Sequence, residues 1–348
     1  MIRQLILIII LLACCFQTLG DKPEKNGKNE KHEYRIMFYN LENLFDPFHD
    51  TLKNDYEFVS GGVMGWTWKK FNRKLQYISK VIVDAGGWRP PEIVAFSEVE
   101  NRFVLIQLLK LTPLERFNYR IIHEESPDQR GIDVAMIYQR DKFTELNHKS
   151  IHITMSDSSI KTRDILYVKG LTPSNDTLHL FVNHWPSRTG GVSITMNRRK
   201  EAALTLRHIV DSISKAQPDA FIVIMGDFND EPADESISKY LDAQIGLPDS
   251  PVFRLNNLMY PYMNKWDTGT NKFRGQWGIL DQFIISSPLV FNKNSIHLSN
   301  QGAEIFAPPY LLQRDEKYTG TIPFRTYNGM RYQGGFSDHL PVLLHLEY

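Results

Sequence analysis

Beyond its first fifteen residues this 348-residue chain has no cysteine, since Cys14 and Cys15 are its only two. A domain without cysteine has no disulfide and no thiolate metal site. Any metal that it binds must therefore be held by oxygen or imidazole ligands. Such ligands favour Mg²⁺, with Mn²⁺ or Ca²⁺ as alternatives, over structural zinc.

The chain also lacks net charge, with 40 basic against 40 acidic residues. A neutral chain has no global field that would draw in a polyanion. If the substrate carries phosphate, its attraction must come from local positive charge. Hydrophobic residues make up 42% and aromatic residues 12% of the chain, which is enough for a sizeable core and argues against global disorder.

No apolar run is long enough to span a bilayer comfortably. The run at residues 5–13 follows Arg3 and precedes a small-residue exit at Gly20, which is typical of a signal peptide. We therefore expect residues 1–20 to be a signal peptide and residues 21–32 to be a polar linker. The protein is then exported, and is periplasmic, secreted or lipid-anchored at the bacterial envelope.

The mode of processing has two alternatives. Residues 11–14, Leu-Leu-Ala-Cys, resemble a bacterial lipobox in which the second Leu departs from the usual pattern. Cleavage before Cys14 would leave that cysteine acylated and the protein tethered to a membrane. Cleavage after Gly20 would release a soluble protein. Both alternatives stay open at the level of sequence.

Residues 33–348 are predicted to form one domain, because no second linker and no repeat of fixed period follows residue 33. Apolar patterns predict strands at 34–39, 93–96, 133–138, 164–169, 177–183, 221–225, 280–285 and 340–346. Helices are predicted at 70–83, 102–110 and 196–214. Hairpin-like neighbours among the strands argue against a purely parallel sheet. The loop-rich, aromatic segment 242–278 is expected to cover one face of the domain.

Polar side chains recur at the ends of the predicted strands. They are Asn40, Glu98, His184, Asp227, Asn229, Asp281, Asp338 and His339. Taken singly, each has a structural explanation as a turn former, a helix-start carboxylate or a satisfied imidazole. Taken together, these carboxylates, amides and imidazoles suit a hard divalent cation and acid–base chemistry on a phosphate.

Six motifs, in this order, resemble the endonuclease/exonuclease/phosphatase superfamily, which includes pancreatic deoxyribonuclease, exonuclease III, neutral sphingomyelinases and inositol-polyphosphate 5-phosphatases. The motifs are Tyr39-Asn40-Leu41-Glu42-Asn43-Leu44-Phe45, Phe96-Ser97-Glu98, Asn183-His184-Trp185-Pro186-Ser187, Gly226-Asp227-Phe228-Asn229, Leu280-Asp281-Gln282 and Ser337-Asp338-His339-Leu340-Pro341. The resemblance implies an α/β (α+β) fold, a four-layer α/β/β/α sandwich of two packed mixed β-sheets flanked by helices. It also implies a site where the edges of the two sheets meet.

The same resemblance implies roles for the polar residues. Asn40, Glu98 and Asp338 match metal-site positions, with Glu98 as the principal Mg²⁺ ligand. Asp227 and Asn229 match the pair that positions the attacking water and a phosphate oxygen. His339 matches the imidazole at the scissile phosphate, and Asp281 the carboxylate that fixes its tautomer. His184 resembles a second imidazole, which is present in the deoxyribonuclease branch and replaced by tyrosine in the exonuclease III branch. Which of these groups is the general base stays open.

Two arginines and three tryptophans are candidates for contact with the substrate. Arg163 lies where the family often has a phosphate-contacting arginine, with a surface cation as the alternative. Arg188 follows the His-Trp-Pro-Ser motif. Trp66, Trp68 and Trp277 are candidates for stacking on a base, with core packing as the alternative.

The sequence thus predicts a Mg²⁺-dependent phosphoric ester hydrolase, a phosphodiesterase or endonuclease that cleaves nucleic acid by in-line attack of water. Hydrolysis of a phospholipid such as sphingomyelin, or of a sugar or inositol phosphate, is the alternative. A binding module that has lost catalysis belongs to a second class, and it is disfavoured because every expected position is occupied. The protein is expected to be a monomer.

Overall fold

The computed structural model describes residues 32–291 and 294–348. One compact unit extends from Glu33 to Tyr348. The predicted signal peptide, Cys14 and the linker up to residue 31 lie outside the described residues. No helix in the described part of the chain is long and apolar enough to cross a membrane.

The first sheet has six strands. They are β1 (Glu33–Leu44), β2 (Ile93–Val99), β3 (Tyr119–His123), β4 (Asp133–Gln139), β14 (His297–Ile305) and β19 (Val342–Glu347). Their spatial order is β14-β19-β1-β2-β4-β3. Strand β1 runs parallel to β2 and antiparallel to β19, so the sheet is mixed.

The second sheet has seven strands. They are β5 (Thr144–Ile151), β6 (Ile165–Leu171), β7 (Thr177–His184), β8 (Phe221–Asp227), β9 (Ala243–Ile245), β10 (Leu255–Asn257) and β13 (Asp281–Ser286). Their spatial order is β5-β6-β7-β8-β13-β10-β9. This sheet is mixed as well, because β8 is parallel to β7 and antiparallel to β13.

Three two-stranded ribbons and the helices complete the fold. The ribbons are β11 (Asn271–Phe273) with β12 (Gln276–Gly278), β15 (Leu312–Arg314) with β16 (Thr321–Pro323), and β17 (Tyr327–Asn328) with β18 (Arg331–Tyr332). The α-helices are α1 (Trp68–Ala85), α2 (Arg102–Lys110), α3 (Val192–Ala216) and α4 (Pro288–Phe291). Short 3₁₀ segments are Tyr56–Phe58, Pro113–Phe117, Tyr260–Tyr262 and Pro309–Leu311, and Ser236–Tyr240 is a π-helical turn.

Three hydrophobic cores separate four layers. Because side chains alternate along a strand, β1 places Ile36 in the core between the two sheets and Met37 in the core beneath α1 and α2. Strand β8 likewise places Met225 between the sheets and Ile224 in the core beneath α3. Central strands buried on both faces explain the continuous apolar runs in the sequence. The implied four-layer α/β/β/α sandwich is confirmed.

Strand direction brings the site residues to one end of both sheets. The parallel strands β1, β2, β7 and β8 contribute their carboxyl ends. The antiparallel strands β13 and β19 contribute their starts, and Asp281 pairs directly opposite Asp227. Polar residues from distant parts of the chain therefore meet where the two sheets pack together.

Candidate active site

A β-bulge presents Glu98 at the end of β2. The register of β2 with β4 shifts between Ser97 and Val99, and Glu98 takes a left-handed backbone conformation with φ of 61°. A side chain in this conformation is uncommon and is often found at functional sites. The Glu98 carboxylate accepts the backbone N–H of Asn43 at 2.8 Å, which ties the bulge to the end of β1.

Asp227, at the end of β8, lies at the centre of the polar cluster. Its Oδ2 is 3.7 Å from Nε2 of His184 and 3.8 Å from Nε2 of His339. The same oxygen accepts a hydrogen bond from Nδ2 of Asn40 at 3.0 Å. The other oxygen accepts the N–H of Asn229 at 2.9 Å. Burial raises the pKa of Asp227 to about 7, against the opposing charge of His339.

His339 is oriented by Asp281. Its Nδ1 lies 2.7 Å from Oδ2 of Asp281, and both side chains are buried. Burial alone would lower the pKa of His339, but the carboxylates of Asp281 and Asp227 outweigh it and hold that pKa well above its ordinary value. The imidazole is therefore stabilised in its protonated form with Nε2 facing Asp227.

His184 has a different environment from His339. Its Nε2 is 3.9 Å from Oε1 of Glu98, while its Nδ1 is buried without a hydrogen-bond partner. Burial, with the positive charge of Arg163 nearby, lowers the pKa of His184 well below its ordinary value. The two imidazoles thus flank one carboxylate oxygen with their pKa values shifted in opposite directions.

A close approach of strands explains Gly226 in the Gly-Asp-Phe-Asn motif. A Cβ atom at this position would lie 2.3 Å from the carbonyl oxygen of Asn183 on β7. Only glycine lets β7 and β8 pair this closely, and their pairing sets His184 opposite Asp227. Gly226 therefore helps to bring His184 and Asp227 together.

A sequence comparison identifies the family. A family model described as "Endonuclease/Exonuclease/phosphatase family" matches residues 35–348. The chain belongs to this family. Members of the Endonuclease/Exonuclease/phosphatase family are hydrolases that act on phosphoesters. No curated protein sequence matches the chain.

Solved structures of family proteins share the fold. A mannosyl-6-phosphatase of Bacteroides thetaiotaomicron superposes with a TM-score of 0.56 at 15% identity, covering 90% of this chain and 100% of that one. TDP2 of D. rerio, complexed with single strand DNA product, gives 0.53 at 15%, with 90% and 98% covered. The catalytic domain of human Nocturnin, with bound sulfate anion, gives 0.51 at 17%, with 90% and 94% covered.

The cluster suits the divalent cation on which enzymes of this family typically depend. Ligand atoms of Asp227, Asp281 and His339 all lie within 4.8 Å of one another, and of these the two carboxylates are the groups that could bind a cation beside the protonated His339. The Oδ1 atom of Asp281 is buried without a hydrogen-bond donor. A buried carboxylate oxygen without a donor is a site that a cation, or water bound to it, would satisfy. The donor set, mostly oxygen with no sulfur, fits Mg²⁺.

Asp338, a predicted metal ligand, is paired with a cation of the protein. Its Oδ2 lies 2.6 Å from Nη2 of Arg325, and its backbone carbonyl accepts Nδ2 of Asn271 at 2.9 Å. Burial would raise the pKa of Asp338, but the charges of His339 and Arg325 lower it overall. The carboxylate is therefore ionised beside the catalytic cluster.

The two arginines singled out from the sequence both contact protein groups. The buried guanidinium of Arg163 donates to the carbonyl of Trp185 at 2.6 Å and to Oδ2 of Asp128 at 3.3 Å. Arg188 donates to the carbonyl of Asn229 at 2.6 Å, and its Nη2 pairs with carboxylates of the following turn. Both therefore support the site loops, and their contact with a substrate stays a prediction.

The three tryptophans differ in exposure. Trp66 is buried and its indole N–H donates to the carbonyl of Phe45, so it packs in the core. Trp277 is half-buried against the same core and donates to Asp267. Trp68 is 40% exposed and contacts the exposed ring of Phe48 at a centroid distance of 5.0 Å. Of the three, Trp68 offers a surface for stacking.

Sequence reasoning missed three charged residues beside the site. They are Glu42, Lys74 and Arg325. Glu42 lies inside a recognised motif, but nothing in the sequence identifies a partner for its carboxylate. Lys74 lies on the apolar face of α1, three residues after Phe71 and four before Ile78, and this placement of a lysine was the available signal. Arg325 carries no motif of its own.

Proposed function

We propose that the protein is a Mg²⁺-dependent phosphodiesterase that cleaves nucleic acid. The observation that carries the proposal is the placement of two imidazoles, His184 and His339, within 4 Å of one buried oxygen of Asp227. This arrangement allows one group to take a proton from water while another gives a proton to the leaving oxygen.

The hydrogen bond to Asp281 supports His339 as the proton donor. Because Asp281 accepts from Nδ1 of His339, the proton on Nε2 points toward the reacting groups. The same carboxylate stabilises the imidazolium, so His339 donates to the leaving oxygen. Asp227, held by Asn40 and by the N–H of Asn229, then faces the attacking water and accepts its proton.

Residues on both sheets would hold the cation. Glu98 and Asn40 lie on the first sheet, and Asp338 lies in the segment just before β19 of that sheet. The donor-free oxygen of Asp281 lies on the second sheet. A bound Mg²⁺ would neutralise negative charge that develops on the phosphate oxygens. Oxygen ligands from both sheets make the cation site dependent on the packing of the sandwich.

An exposed aromatic pair supports nucleic acid as the substrate. Phe48 lies in the segment that follows β1, the strand that carries Asn40, and its ring contacts Trp68, the first residue of α1. Exposed rings near a phosphate site suit stacking on unpaired bases. Because the chain has no net charge, we expect binding to depend on such stacking more than on bulk electrostatics.

A panel assay tests this substrate assignment. One preparation is offered plasmid DNA, single-stranded DNA, RNA, sphingomyelin, mannose 6-phosphate and inositol phosphates, each with Mg²⁺ and with a chelator. We expect the fastest hydrolysis on a nucleic acid, with Trp68→Ala raising the KM for single-stranded DNA. Faster hydrolysis of sphingomyelin or of a phosphate monoester would contradict nucleic acid as the substrate. The chelator arm of the assay tests the metal site independently of the substrate.

We also propose that the protein is exported, on the basis of residues 1–20. Fractionation of cells that express the full chain is the test. Loss of membrane association in a Cys14→Ala variant would favour the lipid-anchored form. Recovery of the wild-type chain in the cytoplasm would contradict export.

A further inference from the structure

We infer that Arg325 binds a phosphate oxygen of the substrate, on the Asp338 side of the site. This inference rests on the proposed phosphoesterase function and adds to it a specific contact. It follows from the position of Arg325, from its free hydrogen-bond donors and from the way its backbone is held.

The guanidinium of Arg325 lies directly beside the reacting groups. Its Nη2 is 2.6 Å from Oδ2 of Asp338, the residue that precedes His339. The side chain is 27% exposed, so part of it is accessible to a ligand from solvent. Within the described part of the chain, Nη2 is its one nitrogen with a partner, and Nε is buried without one. A guanidinium has five N–H donors, so the two N–H groups of Nη1 and the second N–H group of Nη2 stay free to bind a phosphate.

The two arginines singled out from the sequence lack this freedom. Arg163 is buried and uses both terminal nitrogens on Asp128 and the carbonyl of Trp185. Arg188 uses Nε and Nη2 on Asn229, Asp230 and Asp234. A phosphate would have to displace these protein contacts to bind either arginine. Arg325 can donate to a phosphate and keep its ion pair with Asp338.

Glu42 holds the backbone that follows Arg325. Its two carboxylate oxygens accept the N–H groups of Thr326 at 2.6 Å and Tyr327 at 3.0 Å. The carboxyl group of Glu42 is buried, and its two oxygens together fix two successive backbone N–H groups. The segment that carries Arg325 is thereby fixed to β1, close to Asn40.

Lys74 holds the same segment from the other side. Its buried ammonium donates to Oγ1 of Thr326 at 2.5 Å, to the carbonyl of Phe336 at 2.9 Å and to the carbonyl of Glu42 at 3.2 Å. One side chain of α1 thus joins the Arg325 segment to the Ser-Asp-His motif. A buried lysine in this role explains why a charge occupies the apolar face of the helix.

This preorganisation is what a phosphate-binding arginine requires. A fixed guanidinium gives up little conformational freedom when it binds, and its planar donors match two phosphate oxygens at once. The ion pair with Asp338 orients the guanidinium and engages only Nη2. The scissile phosphate, or the phosphate next to it, would then lie between Arg325 and His339.

Calorimetric titration of the whole chain with inorganic phosphate, in the presence of Mg²⁺, tests the inference without relying on turnover. We expect Arg325→Ala to weaken phosphate binding by about 10-fold or more, the loss typical of a charged hydrogen bond. The phosphate affinity of Arg325→Lys should lie between those of Arg325→Ala and the wild type. Lysine keeps the positive charge but cannot donate two parallel hydrogen bonds. Arg331→Ala is the matched control, an exposed arginine six residues along the same segment, and should bind as the wild type does.

A second readout separates substrate contact from mere support of Asp338. The Mg²⁺ concentration for half-maximal hydrolysis should be the same in Arg325→Ala as in the wild type, while KM rises. Unchanged phosphate affinity with a raised Mg²⁺ requirement would overturn the inference, because Arg325 would then act only on Asp338. If Arg325→Ala does not fold, the Arg325→Lys variant decides, and wild-type phosphate affinity in it would count against the inference.

The outcomes also distinguish the inference from the proposed function. Suppose that the wild-type protein hydrolyses a phosphodiester and that Arg325→Ala has the same phosphate affinity and the same KM as the wild type. This result would refute the arginine contact alone. Wild-type protein that neither binds phosphate nor hydrolyses any phosphoester would refute the proposed function, and the contact with it.

Discussion

Nδ1 of His339 and Oδ2 of Asp281 lie 2.7 Å apart and join the two sheets of the sandwich. Asp281 opens β13 of the second sheet, and His339 precedes β19 of the first. The orientation of the proposed acid is therefore set by the packing of one sheet on the other. Loss of either partner should impair catalysis more than folding.

The first prediction concerns this pair. His339→Ala should lower kcat by about 10²- to 10⁴-fold, the range for loss of a general acid. Asp281→Asn should also lower kcat. The asparagine amide can donate to Nδ1 of His339 and so stabilise the wrong tautomer of its imidazole. Steady-state kinetics on the best substrate of the panel measures both effects. His208→Ala, an exposed histidine of α3, is the control and should keep wild-type kcat.

A second prediction concerns Glu98. Glu98→Ala should raise the Mg²⁺ concentration for half-maximal activity by about 10-fold or more, as expected for loss of a ligand or a close neighbour of the cation. Titration of activity with Mg²⁺ checks this. Glu115→Ala, an exposed glutamate, should leave the titration unchanged. If Glu98→Ala lowered kcat at saturating Mg²⁺ with the same half-saturation point, Glu98 would not be a metal ligand.

Gly226 provides a prediction about stability. Gly226→Ala places a Cβ 2.3 Å from the Asn183 carbonyl, so β7 and β8 must separate. Overpacking of this kind costs about 1–3 kcal/mol, which should appear as a lower Tm together with lower activity. Gly61→Ala is the control, because a Cβ there meets nothing within 4 Å. Equal Tm values for the two variants would argue against the close approach of the strands.

A fourth prediction is a dependence of stability on pH. Burial, with the charge of Lys169, lowers the pKa of His179 to about 4, and Tyr167 hydrogen bonds its ring. The unfolded chain gains this proton near the ordinary histidine pKa of about 6.5. The contribution of His179 to stability is thus fully present above pH 6.5 and is lost as pH falls toward 4. Tm measured across this range should fall less steeply in His179→Gln, and identical slopes would contradict the assignment.

The central elements of the fold were predictable from sequence, and the edge strands were not. The predicted helix at 102–110 coincides with α2, and each predicted internal strand is present. Strands β3, β5, β9 and β14 were missed, and all four are edge strands. The three-residue interior strand β10 was missed as well, because it lies in the segment 242–278 that was predicted to be loop-rich. Strand β5 exposes most of its side chains, so it lacks the apolar alternation by which strands are recognised.

The same limit applies to the site. Residues such as Asp227 and His339 stand in compact motifs, and local sequence was enough to find them. Lys74 and Thr326 are 252 residues apart, and their contact follows only from the packing of α1 on the first sheet. Arg199 belongs to a basic run that is typical of a solvated helix face, yet it is fully buried and pairs with Asp230 at 2.7 Å. Buried charges with distant partners leave no periodic signal in a sequence.

The central claim is that the cluster around Asp227 hydrolyses phosphodiesters with the help of a divalent cation. The most direct measurement is the rate of hydrolysis of single-stranded DNA by the purified protein, first in a chelator and then after Mg²⁺ is restored, with Asp227→Asn in parallel. We predict that the wild-type rate is lost in the chelator and returns with Mg²⁺, and that Asp227→Asn stays inactive throughout. A wild-type rate that persists in the chelator, or an Asp227→Asn variant that remains active, would contradict the account.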